Sequence, residues 1–185
     1  MMGMTRDHVA GLIGGVFGAV FIEANAGSLP PGIGIPLRVL AIAAVLGLLV
    51  VRRRGTADDP AEDGTPNNVG FGRGYWWVVA AEGAALLAGL VVINSVLHAP
   101  RATVGWIAFV VGVHFFGLAA VWHRSSLRLL GGGMAVCGLA GLALAGWGAP
   151  VAAIAATSGI APGVLLLASV WWGVRSTANP PRLRA

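Results

Sequence analysis

The sequence predicts an all-α polytopic transmembrane helix bundle, with six helices in three hairpins and both termini cytoplasmic. Three observations predict it. Without its charged stretches the chain is a series of apolar runs of roughly 18 to 22 residues, each able to cross a bilayer core of about 30 Å. Only 10% of the residues are charged and 57% are hydrophobic, with a mean hydropathy of +0.82, whereas soluble domains carry about 25% charged residues. The arginines fall almost entirely at the ends of the apolar runs, and mostly at alternate ends.

The first helix is expected over residues 8–26. Gly11 with Gly15, and Gly14 with Gly18, form two overlapping small-xxx-small patterns that let another backbone come close. Asn25-Ala26-Gly27 loosely resembles a signal-peptide cleavage site, but the run is read as a retained helix. Ser28-Leu29-Pro30-Pro31-Gly32 reads as a turn. The second helix comes next, over residues 35–51, and stops at Arg52-Arg53-Arg54. Residues 52–74 contain Asp58, Asp59, Glu62, Asp63, Pro60 and Pro66 with almost no apolar content, and read as a flexible cytoplasmic loop.

The third helix, residues 75–96, opens on Tyr75-Trp76-Trp77, an interfacial aromatic belt. A short link, His98-Ala99-Pro100-Arg101, leads to the fourth, residues 104–122, with Trp106 and Trp122 near its ends. The fifth, residues 129–147, is glycine-rich. The sixth, residues 151–174, contains Pro162, where a kink or break is expected. Thr157 and Ser158, one turn earlier, are placed to bond freed carbonyls. Ala-Pro before the fourth and sixth helices and Arg after them hint at a parallel hairpin repeat, although any hairpin needs a turn and an interfacial arginine.

Orientation comes from counting. Cytoplasmic termini put Arg6, Arg52, Arg53, Arg54, Arg73, Arg124, Arg128, Arg175, Arg182 and Arg184 inside and leave Arg38 and Arg101 outside, ten against two. This places the chain in the cell's inner (plasma) membrane as a multi-pass protein, and its 185 residues read as a single transmembrane domain.

The net charge of +5 is carried by twelve arginines and no lysine, spread over loops and termini without a basic stripe, so the partner it implies is anionic membrane lipid rather than nucleic acid. One cysteine, Cys137, rules out an internal disulfide or a CxxC pair and reads as a packing residue. His8, His98 and His123 lie at interfaces or in loops without metal-binding spacing, so neither a metal nor a cofactor is expected. There is no GxSxG elbow, no Walker loop and no strand-borne GxGxxG. Asp7, Asp58, Asp59 and Asp63 all lie outside the apolar runs, which excludes an Asp–Asp intramembrane hydrolase.

Ionisable residues at membrane depth are costly unless paired, and so become candidate sites. Glu82 lies seven residues past Tyr75, and His114 eight before Trp122. At about 1.5 Å per residue both are roughly 10 to 12 Å below the cytoplasmic interface, on helices joined by a short link. A carboxylate–imidazole contact there is either a proton relay or cation site, or a structural bond fixing the two helices together. A second group, Glu23, Asn25, Arg38 and Asn94, is expected near the outer surface, as the floor of an outward-facing pocket or as a clasp closing the first hairpin.

The stretches Asn25-Ala26-Gly27-Ser28-Leu29-Pro30 and Val113-His114-Phe115-Phe116-Gly117-Leu118-Ala119 resemble patterns of small six-span integral membrane proteins of high-GC bacteria, a group with no assigned activity. That resemblance implies a six-span topology and names no substrate or catalytic residue. Three functions remain open. The first is a small transporter or permease using the Glu82–His114 site. The second is a non-catalytic scaffold or accessory subunit, associating with a membrane partner or another copy through the glycine-rich first and fifth helices. The third is a lipid-handling enzyme with Glu82 as acid and His114 as base.

Overall fold

The computed structural model describes the backbone of residues 6–58 and 73–178 and the side chains of residues 11–51 and 73–175. Among these residues there are six helices and no strand. Most of the expected loop, residues 59–72, lies outside the described residues, as do Arg182, Arg184 and the side chains of Asp7 and His8.

Helix α1 spans Arg6–Ala26 and α2 spans Pro31–Asp58. Pro31 and Gly32, expected in the turn, belong to α2 because proline suits a first helical position, where its missing N–H is not needed. At its other end α2 runs on through the three arginines to Asp58, because nothing in Arg52–Gly55 breaks a helix as a proline would. Helix α3 spans Arg73–Val96, with its last turn, Val92–Val96, wound as a π-turn. Helix α4 spans Pro100–Trp122 and opens on a 3₁₀ turn. Helix α5 spans Ser125–Gly146, and α6 covers 151–178.

Of the kink or break expected at Pro162, there is no break. The helix instead takes a π-turn over Ala156–Ile160, with the Ala161 N–H donating to Ala156 O, and continues through the proline. The wider turn makes room for the pyrrolidine ring against the preceding carbonyls. Between helices the chain reverses tightly: His98 and His123 hold φ of 51° and 54°, and Gly148 holds 72°. Histidine tolerates this left-handed conformation better than bulkier or β-branched residues do.

Five helices, all but α1, are long and apolar enough to cross a membrane, and α1 adds a shorter apolar stretch, Gly11–Ala26. Helices α1 and α6 sit at the centre. One buried cluster joins Ile22, Ala26, Ala41, Ile160 and Leu167 from α1, α2 and α6. A second joins Phe21, Ala108, Met134 and Leu166 from α1, α4, α5 and α6. Helices α2 and α3 flank the bundle. The α-helical part of α3, Arg73–Val91, has no buried residue, and its packing partner is α4.

The closest seam runs between α4 and α5. A methyl built on Gly112 would lie 2.9 Å from the Gly131 carbonyl oxygen, and one on Gly105 3.0 Å from that of Gly138. Each pair is seven residues from the next, two helical turns, so one face of α4 meets one face of α5 backbone to backbone. The α1 glycines are also used internally: Gly14 and Gly18 face α6, and Gly15 faces Leu48 of α2.

Candidate functional site

The α3–α4 seam is built from five contacts along two antiparallel helices. Tyr75 stacks on Trp122 with ring centroids 6.1 Å apart and planes within 9°. Val78 packs over Gly117, where a methyl would meet its side chain at 2.8 Å. Glu82 meets His114, and the Trp106 indole N–H donates to Ala85 O at 3.3 Å while its ring lies against Gly89. Asn94 closes the seam against Thr103, its Nδ2 lying 3.3 Å from the hydroxyl oxygen.

Glu82 and His114 thus lie together near the middle of this seam, as the sequence expects. His114 Nδ1 is 3.0 Å from Glu82 Oε2, and the two side chains are 13% and 20% exposed. The contact is close but not aligned. His114 Nδ1 is buried, and no N–H points from it along the line to the carboxylate. The Phe115 ring stands edge-on to the imidazole, with centroids 6.0 Å apart. The carboxylate and the imidazole are thus in close contact across the α3–α4 seam.

The outer group is only partly assembled. Arg38 Nε lies 3.6 Å from Glu23 Oε2, and Arg38 Nη2 donates a long bond of 3.4 Å to the Glu23 carbonyl, closing α1 onto α2 beside Gly27. Both side chains are more than a third exposed, which holds such a pair to about 1 kcal/mol or less. Asn25 is buried: its Nδ2 donates to Phe21 O at 2.8 Å and its side chain packs on Gly159 in the α6 π-turn. Asn94 stands apart, bonded to Thr103 and to Leu90 O on its own hairpin. The π-turn explains the separation: its extra residue rotates the end of α3 by about 100° from the face that α-helical counting assigns.

Among the other residues singled out, Ser158 is fully buried and donates to Ile154 O at 2.7 Å. Cys137 is partly buried and free. Among the described residues no three His, Cys, Asp or Glu side chains come together as a metal site.

Two features were not read from the sequence. Trp106 is an interhelical bond donor to α3, yet its position near a helix end resembles a membrane-interface anchor. A cavity of about 260 Å³ opens where the three short turns converge, lined by Asn25, Ser28, Arg101, Val104, Ile154 and Ala155. It draws on three helices that lie far apart in sequence, so no local pattern announces it. No known protein family, curated protein or solved structure matches the chain.

Proposed function

We propose that this chain is a six-span plasma-membrane protein with both termini cytoplasmic, acting as a small permease-like transporter whose exchange site is the Glu82–His114 pair. The ten-to-two arginine asymmetry supports the orientation, and the meeting of all three turns around one cavity supports the hairpins. The observation that carries the reading is the 3.0 Å, mostly buried carboxylate–imidazole contact.

The chemistry rests on charge conservation. Holding one proton between them, the carboxylate and imidazole are neutral overall, whichever group carries it. With that proton gone and a monovalent cation beside the carboxylate, the site is neutral again. Proton and cation therefore replace each other without leaving net charge at membrane depth, where an uncompensated charge costs several kcal/mol. Such a site suits proton-for-cation exchange.

The accessory-subunit reading is favoured by a different observation. Helix α3 packs on α4 at the edge of the bundle with no buried residue in Arg73–Val91, which leaves a face for a partner helix. The two readings are separated by melting the detergent-purified protein, wild type and Glu82→Gln, against pH and a panel of monovalent cations. The transporter reading expects an ion or pH step that shifts wild-type melting, with the response lost in a variant that still folds. A variant that melts lower while no condition distinguishes the two proteins would favour the accessory reading.

A further inference from the structure

The cavity at the convergence of the turns is independent of the Glu82–His114 pair, about 15 Å away along α4 from Val104 to His114 at 1.5 Å per residue. Its lining is asymmetric in chemistry. One part is apolar: Val104 from α4 with Ile154 and Ala155 from α6. The polar part offers donors. Arg101 brings a guanidinium, Ser28 a hydroxyl, and Asn25 the amide N–H that is not used on Phe21 O. Among the described residues no acidic side chain lines the cavity.

The two arginines assigned to the outer side differ in a telling way. Arg38 has its carboxylate in Glu23. Arg101 is exposed and has no hydrogen bond or ion pair among the described residues. Arg101 lines the cavity with its guanidinium open to an incoming anion. Asn25, on the cavity wall, lies against Gly159 of the α6 π-turn, and any side chain at 159 would collide with it. Irregular π-turns of this kind are frequent at binding sites.

We infer that this cavity binds an anion-headed amphiphile, a phosphate or carboxylate carried on an apolar body, with Arg101 and Ser28 holding the head and Val104, Ile154 and Ala155 receiving the apolar part. The volume of about 260 Å³ is near the lower edge of small-molecule sites, which begin at about 300 Å³, and fits a head with a short length of chain rather than a whole lipid. The ligand is either the head region of an anionic lipid or a free organic anion, and both present the same chemistry to the site.

Octyl phosphate is the test probe, applied to the full-length protein in a non-ionic detergent and read by melting and by calorimetric titration. Octyl phosphate should raise the melting temperature. Inorganic phosphate, lacking the apolar body, should bind at least roughly tenfold more weakly. Arg101→Gln should weaken octyl phosphate by roughly tenfold, the value of one charge-assisted bond, with Arg101→Lys recovering part of the loss. Val104→Phe, which fills the cavity and leaves the arginine in place, should abolish binding. The unliganded melting temperature of each variant shows that it is folded. Competition by phosphatidylglycerol in nanodiscs, but not by phosphatidylcholine, identifies a lipid head as the source; octyl phosphate binding that neither lipid displaces identifies a free anion. Either result supports the site. Equal binding to wild type, Arg101→Gln and Val104→Phe, or equal binding of uncharged octyl glucoside, overturns it.

Discussion

At the scale of single residues, Glu82 and His114 show how much depth counting achieves. Helix rise and two interfacial aromatics were enough to match their levels, and a short link was enough to make their helices neighbours. What counting cannot give is rotation about the helix axis. Trp106 was legible as an aromatic near an interface but not as a donor to Ala85 O, because that depends on which way the indole faces. Asn94 was placed with the outer polar group by its depth and turned away from it by the π-turn at Val92–Val96. Two outcomes are expected at this scale. Trp106→Phe removes one interhelical bond and should destabilise the protein by about 1 kcal/mol, read as a shift in denaturant midpoint, whereas an unchanged midpoint would show that the indole bond contributes nothing. Ser158→Ala loses the 2.7 Å bond to Ile154 O, but the carbonyl acceptor keeps its helix neighbours, so its cost should also be no more than about 1 kcal/mol.

At the scale of elements, helix existence was legible from composition, and helix packing was not. Each run is apolar around most of its circumference, so no stripe with a period of 3.6 residues marks which face turns inward. The sequence therefore could not rank α1 and α6 as central or α3 as peripheral. The glycines were the exception, since small residues mark close approach, although they did not show that the approach is internal to the chain. On α4 and α5 they meet each other; on α1 they meet α6 and α2. Gly138→Leu should force α4 and α5 apart, because even a methyl at 138 would collide with the Phe109 backbone, which has no side-chain freedom to yield. The expected cost is about 3 kcal/mol or more, above the usual range for overpacking that side chains can absorb. Gly83→Leu serves as the control: a methyl there meets nothing within 4 Å, so the protein alone should tolerate it. A Gly83→Leu variant that folds but loses association with a membrane partner would favour the accessory reading.

At the scale of the whole molecule, orientation rests on the distribution of arginines, and the hairpin arrangement on the cavity that gathers the three turns. The orientation is open to labelling in intact cells with a membrane-impermeant maleimide, in a Cys137→Ala background. Ser28→Cys and Trp147→Cys, at two of the turns, should label from outside, and Ser125→Cys should label only after lysis. The reverse pattern would invert the topology and place Arg101 and its cavity on the cytoplasmic side. The bundle's two polar groupings differ in kind: a carboxylate–imidazole contact on the α3–α4 seam, and a cavity lined by Arg101, Ser28 and Asn25 among the turns.

The central claim, that Glu82 and His114 exchange a proton for a cation, is tested most directly by flux. Purified protein is reconstituted into liposomes enclosing a pH-sensitive dye, and gradients of individual monovalent cations are imposed across the membrane. Proton movement should be driven by at least one of these gradients, and should be abolished in Glu82→Gln while that variant still folds. Wild-type flux in Glu82→Gln, or no coupled proton movement under any gradient, would contradict the claim and leave the pair as a bond between helices.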